Sequence, residues 1–141
     1  MPVSLIEGIA EFLEANSHGI YSPTVGQTKT IFAAEEPPAP DAIIAVLDLV
    51  GGRCPDTAGV GQENLVTVRV RDPSYAAGLA RAHAVFLELH RSQGLLGGVL
   101  VALVEATAPL APLGRDAAPA GGRWRFTQTF RVILRVGEDL V

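Results

Sequence analysis

One cysteine, Cys54, one tryptophan, Trp124, and one lysine, Lys29, are all that the 141-residue sequence holds of those three residue types. A single thiol excludes an internal disulfide framework and a thiolate-built zinc site, so packing must hold the fold together. Charged residues make up 18% of the chain and aromatics 6%, where about 25% charged is usual for a soluble domain. A surface that poor in charge predicts partial burial against other protein, the first pointer to oligomerisation. No apolar run approaches the roughly 20 residues that span a bilayer. Met1 to Leu13 has no positive charge ahead of its apolar residues and no small-residue cleavage pattern, which predicts no membrane partner and a cytoplasm-like compartment. Eleven basic residues against 15 acidic ones leave a net charge of -4. That balance offers no general attraction to nucleic acid or anionic lipid and excludes a reader of DNA sequence.

What is present is a 48% hydrophobic chain of a length that fits one domain, residues 1–141. Ser4 to Glu7 matches a capping box and starts a helix whose apolar stripe is Leu5, Ile9 and Phe12, flanked by Ile6 and Leu13; Asn16 to Gly19 stops it. Thr28 to Ala34 reads as a strand, three prolines interrupt, and Asp41 to Leu47 reads as the next. Asp48 to Asn64 carries four glycines and a proline and reads as a long loop. Leu65 to Arg71 alternates strictly, with Val66, Val68 and Val70 on one face and Thr67, Arg69 and Arg71 on the other.

Asp72 as N-cap and Pro73 at the first position open a second helix to Gln93, about 30 Å long at 1.5 Å per residue, which packs on the three valines through Tyr75, Leu79, Ala82, Phe86 and Leu89. Gly98 to Ala106 is apolar on both alternating sets and reads as a central strand covered on both faces. Thr107 to Gly122 is a second long loop. The last strand sets Trp124, Phe126, Phe130, Val132, Leu134 and Val136 against Arg123, Arg125, Thr127, Thr129, Arg131 and Arg135. The fold class is α+β: one two-layer domain in the order α-β-β-β-α-β-β, its mostly antiparallel sheet packed by two helices on one face.

Reactive constellations are missing. The only lysine lies in a strand segment, so there is no Walker-type phosphate loop, and Gly59-Val60-Gly61 does not lead from a strand into a helix. His83 and His90 stand seven apart on a helix, about 10 Å along the axis at 1.5 Å per residue, too far for one zinc ion. Cys54, beside Pro55 and Asp56, lacks the context of a catalytic nucleophile. Adjacent Glu35 and Glu36 lead into the prolines and fit a solvated strand end. The reading is not an enzyme, with no catalytic, metal or cofactor-binding residues and no cofactor.

The sheet face away from the helices mixes Ile31, Ile43 and Ile133 with Arg69, Arg71, Arg131 and Arg135. This mixture predicts a heterologous subunit interface in which one copy's arginines meet another's carboxylates and repetition closes a ring. Arg69, Arg71, Arg131, Arg135 and Ile133 are the expected interface residues. Asp56, Gln62, Glu63 and Asn64 are expected on the facing edge, on a lumen or against a partner.

The N-terminal helix, the Ala42 to Leu47 strand, the glycine-rich loop, Leu65 to Asp72 followed by Pro73 to Ala80, and the long terminal strand together resemble the tail terminator or tail-completion (minor capsid) proteins of long-tailed bacteriophages. Val68 to Tyr75 carries most of the resemblance. It implies a structural virion protein forming a ring, commonly of six subunits, that caps the tail tube and offers a docking surface to the DNA-filled head. The implied partners are further copies of the chain, the tail tube protein and a head-completion or connector protein. DNA passes through the lumen without specific binding, and the implied location is the tail-neck region of a virion assembled in bacterial cytoplasm. A head-closure, neck or minor capsid protein of the same particle is the alternative within that class. Outside it, the alternative is a small binding module presenting the loop of residues 48–64.

Overall fold

Ser4 accepts a hydrogen bond from the Glu7 amide at 3.3 Å, and the Glu7 carboxylate accepts the Ser4 amide and hydroxyl at 3.3 and 2.8 Å. This capping box opens α1, Leu5–Ala15, where the sequence places it. The computed structural model describes residues 4–53, 60–115 and 122–135. After α1 come β1 (Ile31–Ala33), β2 (Ile43–Arg53), β3 (Val60–Asp72), α2 (Tyr75–Leu89), β4 (Gly94–Leu96), β5 (Val99–Ala106), β6 (Ala111–Arg115) and β7 (Trp124–Arg135). One seven-stranded sheet runs β1-β2-β3-β7-β5-β4, with β6 also on β7. Among the described residues only the β1–β2 pair is parallel.

The α+β class holds, with two strands more than the expected order. The segment from 107 to 122 is not all loop: Ala111–Arg115 pairs with the first third of β7 while β5 pairs with Phe130 to Leu134. Since β3 fills the other side of β7 along its length, β5 and β6 follow one another on one side as an interrupted strand. The supposed loop of residues 48–64 is largely β structure, because β2 and β3 run past Leu47 and Leu65 as a continuing antiparallel pair. Cys54 and Asp56 lie outside the described residues.

β5 lies next to the edge strand β4, and β3 and β7 occupy the middle. Most β5 side chains are half-buried and only Val101 and Val104 are fully covered, so the strand is not enclosed on both faces.

The sheet curls. α1 packs on β1 and β2 and also on β4, strands at opposite ends of the order, while α2 packs on β3, β7 and β5. Both helices feed one core: Ile6, Ile9, Ala10 and Leu13 of α1 and Ala82, Val85 and Leu89 of α2 meet Ile44, Val46, Val66, Val68, Val70, Phe126, Phe130 and Val132. Ile31, expected on the opposite face, belongs to this helix-side core. Burying these side chains stabilises the fold by about 1.5–3 kcal/mol for each large one.

α2 starts later and ends earlier than its periodicity suggests. Ladder pairing with β7 continues through Asp72, opposite Trp124, so Ser74 becomes the N-cap and accepts the Ala77 amide at 3.3 Å. Asp72 instead accepts the Ser74 amide at 2.8 Å. At the other end the Arg91 amide donates to the Val104 carbonyl at 2.6 Å and the Val104 amide to the Ser92 carbonyl at 3.0 Å, which draws the chain off the helix toward the β4–β5 hairpin.

Candidate assembly interface

α2 buries Gly78, Ala82, Val85 and Leu89 against the sheet; of the other expected contacts, Phe86 is partly buried against the core and Tyr75 touches the Trp124 and Phe126 rings with its edge, whereas Leu79 is turned outward. Small residues at 78 and 82 let the helix axis come close, and a Cβ on Gly78 would lie 2.7 Å from the Phe126 ring. That rotation leaves Tyr75, Leu79 and Leu87 at 44%, 38% and 63% exposure. Between them, Ala76, Ala80 and His83 are exposed as well. An open groove of about 500 Å³ runs along Tyr75, Ala76, Leu79, Ala80 and His83. The helix carries two charges, and both are directed to this chain: Glu88 meets His18 Nε2 at 2.8 Å and Arg81 approaches Asp72 at 3.8 Å. The outward stripe of α2 is therefore largely apolar, its polar atoms being those of Tyr75 and His83. Tyr75 extends it toward Trp124 in an edge-on ring contact at 5.1 Å, and the Phe86 ring stacks on His83 and His90.

The sheet face away from the helices is built from the other alternation of β3 and β7. Arg69 and Arg71 stand opposite Thr127 and Arg125, Thr67 opposite Thr129, Leu65 opposite Arg131, and Glu63 opposite Ile133. The chain itself covers part of this face. The segment between β1 and β2, with a cis Ala39–Pro40 peptide, supplies acceptors to three arginines. Arg69 Nη1 donates to Glu36 Oε1 at 2.9 Å. Arg71 donates to the carbonyls of Pro40 and Asp41 at 2.7 and 3.4 Å, and Arg123 donates to the Pro38 carbonyl and approaches Asp41. Ile43 and Ala45, on β2 beside Arg71 and Arg69, are fully buried.

The expected interface residues thus divide. Arg71 is 3% exposed and holds the proline segment down, so it presents almost no surface in the isolated chain. Arg69 is ion-paired within the chain, and Arg131 sits between Glu63, at 3.5 Å, and Glu105. Ile133 and Asn64 are half-buried. The side chains of Gln62 and Arg135 lie outside the described residues, as does Asp56. Glu63, expected to face a partner, is engaged with Arg131 of its own sheet. Sequence reasoning missed the outward stripe of α2 and the segment that engages the arginines. The first was legible in the scarcity of charge between Tyr75 and Leu87.

Among the described residues no group of three or more His, Cys, Asp or Glu side chains is placed to hold a metal ion, and no helix is long and apolar enough to cross a membrane. One phenol is perturbed: burial, then the carboxylates of Glu7 and Glu11, push Tyr21 above the ordinary range, with Lys29 Nζ 4.8 Å from its ring centroid.

No protein-family model matches the sequence, nor does any curated protein. Among solved structures, the chain is similar to one from the virion of a native gene transfer agent particle, with a TM-score of 0.57 and 19% identity over 76% of this chain and 79% of that one. The likeness shows a shared fold.

Proposed function

We propose that the protein is a structural component of a phage-type virion, non-enzymatic, and that copies of it associate into a ring at the end of a tail tube. The observation that carries this reading is the outward stripe of α2: a helix whose exposed side is largely apolar, with both of its charges turned to its own chain. Such a stripe is what a subunit covers against a neighbour. The fold shared with a chain of a gene transfer agent virion supports the same class. With a net charge of -4 per chain, a ring of copies gives DNA no adhesive wall, so DNA passes through the lumen unbound. Head-side partners and the tube protein would meet the two rims.

The experiment is native mass spectrometry of the purified chain, alone and with tail tubes, for wild type and a Leu79→Glu, Leu87→Glu variant. A closed oligomer that binds tubes, and a folded variant that stays monomeric, is the expected result. A wild-type chain that stays monomeric with and without tubes would overturn the reading.

A further inference from the structure

Among the described arginine side chains of this face, Arg125 is the exception. Arg69, Arg71, Arg123 and Arg131 each bond to their own chain. Arg125, half-buried, makes no hydrogen bond or ion pair among the described residues, and its Nε–H is buried with no acceptor, as are those of Arg69 and Arg131. Its ladder partner on β3 is another arginine, Arg71, which donates to main-chain carbonyls. Like charges directly opposite on neighbouring strands repel, and a charged group with a buried unsatisfied donor is destabilising unless an anion reaches it. On its other side the ladder partner is Gly114, at φ +86°, where an added Cβ would meet nothing within 4 Å.

We propose that Arg125 is a carboxylate-binding site completed by a second copy of this chain, a contact that deepens the self-assembly reading above and rests on it. Charge complementarity selects the occupant. Each copy carries 15 carboxylates against 11 cationic side chains, and Glu35 and Asp48 are exposed with no ion pair among the described residues. A neighbouring copy therefore brings surplus carboxylates to a face on which the Arg125 guanidinium has no counter-charge among the described residues. A planar, two-pronged bond between guanidinium and carboxylate also fixes the angle between copies, which an apolar stripe alone leaves loose. The arginine that the face offers to a neighbour is Arg125, in place of Arg71.

The test compares wild type, Arg125→Gln and Arg125→Lys by native mass spectrometry and light scattering across protein concentration at 50 and 500 mM salt, with circular dichroism to confirm folding. The expected result is a wild-type oligomer that weakens with salt. Arg125→Gln should be folded and need at least tenfold more protein to assemble at low salt, with a flatter salt dependence, and Arg125→Lys should fall between the two. Wild-type oligomers matched by Arg125→Gln at both salt concentrations would overturn the contact while leaving self-assembly standing. A wild type that is monomeric throughout would overturn the second-copy occupant together with self-assembly. Inorganic phosphate at constant ionic strength serves as the free-anion probe. If it raises the melting temperature of wild type but not of Arg125→Gln, without any oligomer, the site belongs to a soluble anion and the proposal fails.

Discussion

Gly78 of α2 and Phe126 of β7 touch so closely that the Cβ of an alanine at 78 would stand 2.7 Å from the ring edge and 3.0 Å from Asp72 Cβ. Alanine is the better helix former by about 1 kcal/mol, yet the overlap should cost more, about 1–3 kcal/mol. Gly78→Ala is therefore expected to be net destabilising in urea denaturation. A more stable variant would show that α2 does not sit at this distance.

The two phenylalanines of the α2 region should differ sharply. Phe126 is fully buried beneath the helix, so Phe126→Ala should cost about 3–5 kcal/mol. Phe86 is half-buried and stacks between two imidazoles, and Phe86→Ala should cost less than half as much. Equal losses in equilibrium unfolding would place Phe86 in the core and rotate the helix back toward the sequence-based reading.

Arg71 and Arg69 are adjacent on the same face but not equivalent. Arg71→Met keeps the volume but removes the donor from the Pro40 and Asp41 carbonyls, an expected loss of about 1–3 kcal/mol. Arg69→Ala opens a partly exposed pair with Glu36, an expected loss of at most about 1 kcal/mol. Thermal melts in which Arg69→Ala is the worse of the two would contradict the anchoring role of Arg71. Reversal of Arg71 to glutamate is accordingly expected to unseat the proline segment in the monomer itself.

Tyr21 gives a pH signature. Its pKa is raised in the folded chain, so the folded state holds the phenol's proton more tightly than the unfolded state does. The associated stability is fully present below the unfolded value of about 10 and is lost as pH rises through the folded value. Tyr21→Phe should flatten the alkaline limb of a stability–pH curve above about pH 10. A limb of unchanged slope would show that Tyr21 does not drive it.

Period-two alternation made β7 readable almost to its ends, and the capping box located α1 to the residue. β6 was not readable, because Ala111 to Arg115 has no alternation and contains a proline and a glycine; the ladder with β7 makes it a strand. The extension of β2 and β3 past residues 47 and 65 has the same cause, pairing overriding the turn propensity of the glycines there. The face of α2 was misjudged at Leu79, where hydrophobic size pointed inward, whereas close approach favoured Gly78. For the site, alternation gathered the arginines on one face correctly. Their intrachain partners were hidden, since Glu36, Pro38 and Pro40 belong to a segment with no periodicity.

α1 seats against both β1–β2 and the β4–β5 hairpin, where a Cβ on Gly8 would fall 2.7 Å from the Leu96 carbonyl and from Val99 Cγ2. During synthesis the helix emerges some eighty residues ahead of the hairpin that completes its seat. The hairpin joins β1–β2–β3 only through β7, so until residue 135 has left the ribosome Ile6, Ile9 and Leu13 lack part of their cover, and on its own an 11-residue helix is marginal in water. The nascent chain must therefore carry an apolar N-terminal segment whose seat waits for the last strand. That makes the interval before β7 appears the one in which a chaperone, or a premature neighbour, has most to hold on to.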